Sequence, residues 1–151
     1  HLGYINWRAG RYGEAAEAYR AGSRIAGAPP WLAAMAAQIE LDGGGRAVAR
    51  EVYKRMYDDA TDQQLKLLAL RRLAQIESLD ERDRIRAALS DFRARAGRCP
   101  AGWRELTAPL RAAGLKTDAA GSPLDPAGFP YVLDASNCDV QLDQRSEVPK
   151  K

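Results

Sequence analysis

The strongest constraint on this fold is a spacing. Gly10, Ala15 and Tyr19 recur as Gly44, Ala49 and Tyr53, each 34 positions further along the chain. A small, small, aromatic set repeated at that distance marks stacked helical hairpins, in which each unit buries its apolar face against the next. The physical requirement is close approach. Two antiparallel helices come together only where small residues such as Gly3, Ala15, Ala37 and Ala49 sit at the crossing, and Tyr19 and Tyr53 then fill the space toward the following helix.

Thirty-four residues is also the length of a tetratricopeptide repeat (TPR), and Leu2-Gly3, Gly10, Tyr12, Ala15, Tyr19 and Gly22 resemble that family's pattern of small and large residues. The second unit departs from it with Ala36-Ala37 and Arg46. A third step places Ser78, Asp83 and Ala87 at the signature positions, so the third unit is degenerate. Its apolar spacing is still helical: Leu65, Leu68, Ala69 and Leu73 form one stripe, and Ile85, Leu89 and Phe92 a second. The sequence therefore predicts a mostly α protein, a TPR-like α-solenoid of two units and one TPR-like helix pair over residues 1–98. Gly10 and Gly43-Gly44-Gly45 supply turns, Pro29-Pro30 precedes a helix opening at Trp31, and Thr61 and Asp80 are the expected N-caps. In the helix expected over about 80–98, acids come early and arginines late. Asp80/Arg84 and Asp91/Arg95 stand at i,i+4, which reads as a solvated face.

After Gly97 the composition turns to Pro, Gly and Asp, so residues 99–151 read as a separate C-terminal module. Trp103, Leu106, Leu110 and Leu115 predict one or two short amphipathic helices packing back on the preceding ones. Turn signals follow at Gly121-Ser122-Pro123 and at Asp125 to Gly128. Phe129 to Leu133, a polar turn over Asp134 to Asn137, and Cys138 to Leu142 read as a β-hairpin, with Pro130 holding its strand at an edge. The elements Gly97-Arg98-Cys99-Pro100, Glu105-Leu106, Gly114-Leu115 and Asp125-Pro126-Ala127-Gly128-Phe129-Pro130-Tyr131 resemble the globular region of type II secretion major pseudopilins. The long hydrophobic N-terminal helix of that family is absent. The tail therefore does not mark a pilin; a TPR-like chain with such a tail resembles a group of bacterial proteins often tethered by an upstream membrane segment, which implies an extracytoplasmic setting, periplasmic, membrane-tethered or secreted. The pseudopilin resemblance also draws attention to Asp125, Asp134, Asn137 and Asp139 as hard oxygen donors for calcium, but the loop is shorter than the family's and Asp and Asn are standard turn residues, so turn chemistry is the expectation.

Cys99 opens the tail and Cys138 begins its last strand, so a bond between them encloses most of the loop-rich module. Closing a loop of about 40 residues contributes roughly 3–4 kcal/mol in the loop-entropy account. The expectation is a Cys99–Cys138 disulfide and an oxidising compartment; the alternative is two buried thiols in a cytosolic protein. A pair this far apart, with no CxxC, is a poor redox or zinc signature.

Composition excludes more than it selects. The single histidine, His1, rules out a multi-histidine zinc site within the chain and leaves a Ser-His-Asp or Cys-His group improbable. Asp58, Asp59 and Asp62 cluster near Tyr57, but at an exposed helix end paired carboxylates stay solvated and idle. No enzyme activity, cofactor or metal is expected. The net charge of +3 comes from interleaved acids and bases, as in Asp80-Glu81-Arg82-Asp83-Arg84, so no nucleic-acid partner is expected either. No apolar run approaches the roughly 18 residues of a membrane span, and anchoring would need a segment upstream of a start that looks trimmed.

What remains is binding through shape. The TPR resemblance implies a concave, protein-binding face formed by Tyr4, Trp7 and Arg8, then Trp31, Gln38 and Leu41, then Leu68, Arg72 and Gln75. Trp7 and Trp31 are alternatively core residues or covered by the tail. A solenoid opening inside a helix leaves an uncapped apolar edge, which makes a homo-oligomer or filament the leading alternative to a hetero-complex scaffold.

Overall fold

Among the described residues Pro29, Gly43 and Gly45 lie between helices. The computed structural model describes residues 12–24, 27–29, 31–43 and 45–150. They are mostly helical, with a small C-terminal antiparallel hairpin. Four helices come first: α1 (Tyr12–Ser23), α2 (Trp31–Asp42), α3 (Arg46–Asp59) and α4 (Gln63–Ala96). A 3-10 turn (Trp103–Leu106), α5 (Thr107–Ala112), β1 (Val132–Asp134) and β2 (Asp139–Gln141) follow. Among the described residues no helix is long and apolar enough to cross a membrane. Packing divides the chain into two compact units, His1–Leu73 and Ala74–Lys151.

In the first unit, Gly22 at the end of α1 lies against Leu32 at the start of α2, and Ala16 packs on Ile39 further along. That pairing makes α1 and α2 antiparallel, with the partly buried Tyr19 completing the cluster. The helices approach through small side chains: Ala16, Ala36, Ala37 and Ala49 are all buried. Tyr53 of α3 is buried as well.

Two expected helix starts are corrected. The cap of α4 is Asp62, whose Oδ1 accepts the Gln64 N–H at 2.9 Å, rather than Thr61. Asp80 caps nothing, because α4 runs unbroken from Gln63 to Ala96 and the third helix pair is a single helix. The stretch Ala74 to Asp80 contains neither Gly nor Pro. Where a turn glycine was the repeat's demand, Ser78 is fully buried and hydrogen-bonded to the Tyr131 hydroxyl at 2.8 Å. With no breaker and a packed position at the would-be turn, helix propagation wins.

The second unit begins inside α4, so the composition change at Gly97 and the packing division do not coincide. Ile85, Ala88 and Leu89 of α4 form one core with Trp103, Leu106, Leu110, Leu115, Tyr131 and Val140. The Trp103 indole N–H donates to the Tyr131 carbonyl at 2.9 Å. Gly97 ends α4 at φ 72°, a left-handed cap that residues with a Cβ adopt only with strain. Gly121 has φ 84°, and a Cβ there would lie 3.0 Å from Thr107 Oγ1, so conformation and space both require glycine. The hairpin forms where expected, but its ladder is short: Val132, Leu133 and Asp134 pair with Gln141, Val140 and Asp139. Cys99 and Cys138 are joined in a disulfide with Cα atoms 5.7 Å apart.

Candidate functional site

Helix geometry gathers Trp31, Met35, Gln38 and Asp42 on one face of α2, within about 60° of each other at about 100° per residue. Trp31 is 55% exposed and Met35 is also exposed. The polar half of this stripe is ordered: Gln38 Nε2 donates to Asp42 Oδ1 at 2.9 Å, and the Tyr53 hydroxyl donates to Gln38 Oε1 at 3.3 Å. Burial pushes the Tyr53 phenol up to about 12; the Arg72 guanidinium opposes that rise and the Asp42 carboxylate adds to it. Gln38 and Arg72, two of the residues selected by sequence, are thus brought together around one buried phenol, with an exposed Trp–Met pair on the same face of α2.

The other selected residues divide. Trp31 is exposed rather than a core residue. Leu68 is half-buried. Leu41 and Gln75 are buried, at 8% and 5% exposure, and offer no surface to a partner. Tyr4, Trp7 and Arg8 lie outside the described residues, as does the solenoid edge expected at residue 1.

A second feature has no counterpart in the sequence reading. A cavity of about 610 Å³ opens in the first unit where the ends of α1 and α3 meet the starts of α2 and α4. Ala33, Val52, Met56, Ala60 and Leu65 give it apolar walls. Arg20, Arg24, Arg55, Asp59, Thr61 and Asp62 supply its polar atoms. Ala33 points about 190° away from the centre of the Trp31 stripe, so the cavity lies on the opposite side of α2. It is assembled from helix ends distant in sequence, which no local periodicity reports. Asp58, Asp59 and Asp62 are exposed.

In the second unit the Tyr131 hydroxyl donates to Glu81 Oε1 at 2.9 Å and takes the Ser78 hydroxyl at 2.8 Å. Burial raises the pKa of both Tyr131 and Glu81. This cluster fastens the tail to α4. The calcium candidates are engaged in turns. Asp125 accepts Ala127 N–H, Phe129 N–H and the Ser146 hydroxyl; Asp134 accepts Ser136 N–H and Asn137 N–H; Asp139 accepts Arg86 Nε and Val140 N–H. Among the described residues no group of three His, Cys, Asp or Glu side chains is placed to hold a metal ion.

No protein family, curated protein or solved structure matches the chain.

Proposed function

We propose that this protein is a non-enzymatic interaction scaffold whose TPR-like helical unit docks a protein partner in an extracytoplasmic bacterial assembly. The observation that carries the reading is the α2 stripe: exposed Trp31 and Met35 beside a Gln38–Asp42–Tyr53 network that Arg72 adjoins. Tryptophan and arginine supply much of the binding energy at protein interfaces, and an ordered polar network beside an apolar anchor lowers the entropy lost on docking. The disulfide is compatible with an oxidising compartment.

The test is crosslinking and capture from the native organism with the purified chain as bait. Trp31→Ala and Arg72→Ala are each expected to cost about 2 kcal/mol or more of binding, with the helical circular-dichroism signal retained. Undiminished capture by both variants would retire the α2 face. Running the chain against itself in light scattering separates self-association from a foreign partner.

A further inference from the structure

We propose that the cavity between the helix ends of the first unit binds a peptide segment carrying a large apolar side chain next to a carboxylate. The site is distinct from the α2 stripe and does not depend on it.

Its volume of about 610 Å³ falls within the roughly 300–1,000 Å³ of clefts that take ligands. Ala33, Val52, Met56 and Leu65 provide an interior that water solvates poorly, which favours an inserted hydrocarbon or aromatic side chain. The charges at the cavity then select the neighbour of that side chain. Arg20 is engaged with Glu17 and Glu40 at 2.9 and 3.0 Å. Asp62 caps α4. As a cap Asp62 keeps its charge, so the lining holds three guanidiniums, Arg20, Arg24 and Arg55, and two carboxylates, Asp59 and Asp62, with Arg24 and Arg55 not ion-paired among the described residues. What selects an acid is the pair of exposed guanidiniums, Arg24 and Arg55, since guanidinium forks match carboxylates in a planar, two-bond geometry. Arg24 and Arg55 are exposed while the apolar walls are recessed. A side chain that enters, with an acid one or two residues away remaining at the mouth, satisfies both zones. This arrangement suits a peptide, whose backbone spaces the two groups.

The test uses fluorescence anisotropy with a fluorescein-labelled octapeptide, Gly-Ser-Glu-Leu-Phe-Glu-Ser-Gly, on the full chain. Saturable binding is expected. Replacing both Glu by Lys, or both Leu and Phe by Ser, should each weaken it by about tenfold or more. Arg24→Glu and Arg55→Glu, at exposed positions that leave the core untouched, should do the same, and Arg55→Glu should recover affinity for the Lys peptide. Trp31→Ala should leave this binding unchanged even where it abolishes capture of the scaffold's partner. Amide shifts on titration are expected at Ala33, Val52 and Leu65. The proposal is overturned by absence of saturation, by equal binding of the Lys peptide, or by indifference to both arginine reversals. It is equally overturned by shifts centred on Trp31 to Gln38, or by decanoate binding where the peptide does not.

Discussion

A phenol buried as completely as Tyr131 must have its hydroxyl satisfied, and Ser78 and Glu81, about fifty residues earlier in the chain, satisfy it. Tyr131→Phe is expected to lower stability by about 1–3 kcal/mol, since it leaves two half-buried or buried polar groups short of a partner. The loss carries a pH signature. The Tyr131 hydroxyl opposes the burial-driven rise in the Glu81 pKa, so removing it raises that pKa further. An acid with a raised folded pKa destabilises the fold as pH climbs through that value, so the deficit in urea melts should be larger at pH 7 than at pH 4. Glu105 behaves in the opposite sense. Its hydrogen bonds from Arg98 first, and then from the Ala101 N–H, hold its pKa down to about 2 from 4.5. Its contribution is complete above about pH 4.5 and disappears as pH falls toward 2, so Glu105→Gln should flatten that part of the acid-denaturation curve. Asp134, Asp139 and Asp143, held down by Asn137, Arg86 and Arg145 respectively, add to the same acid lability. Little of this was readable from sequence. The Tyr131 motif stood out, but the residues that complete it belong to a different element, and local patterning carries no information about partners so far away.

Elements were more legible than contacts, because periodicity and turn chemistry are local properties. Trp31 begins α2 after the prolines, and Trp103, Leu106 and Leu110 are buried in the 3-10 turn and α5, while Leu115 is buried beyond the helix end; the hairpin forms between residues 129 and 142, with Asp134, expected in the turn, ending β1. The failure was α4. Two apolar stripes, Leu65 to Leu73 and Ile85 to Phe92, read as two helices because the 34-residue repeat places a turn near Ser78 and Asp80 looks like an N-cap. Two successive stripes along one helix have another cause: the helix contributes to two units in turn, with Ala69 buried in the first and Ile85 and Leu89 in the second. Native-state hydrogen exchange distinguishes these structures. Amides from Gln75 to Arg82 should be protected as strongly as their flanks, whereas a hairpin turn near Ser78 would expose two or three of them to rapid exchange. A proline at Glu77 should cost about 3 kcal/mol or more, a penalty that a loop position would escape.

At the scale of the molecule, the two units are stabilised differently. The first relies on close helix packing through alanines and contains no cysteine. The second sets one helix against a tail of short elements, and its disulfide joins residues 39 apart in sequence. In the loop-entropy account that closure is worth about 3–4 kcal/mol, a large share of what a unit of this size retains as net stability. Reduction should therefore act on one unit only. With reductant present, amide protection is expected to fall at Ile85, Leu106 and Val140 while Ala37, Ala49 and Tyr53 keep theirs. The lower thermal transition should move down by more than about 10 °C, given the usual shift per kcal/mol for small domains. Because α4 belongs to both units, the outcome also reports how far they are coupled. If the helix transmits the loss, protection at Ala69 will fall together with that at Ile85, and the chain unfolds as one cooperative body. If it does not, α4 must open near Leu73 while its first turns remain folded, and a partner docked on α2 would stay bound to a chain whose tail has come undone.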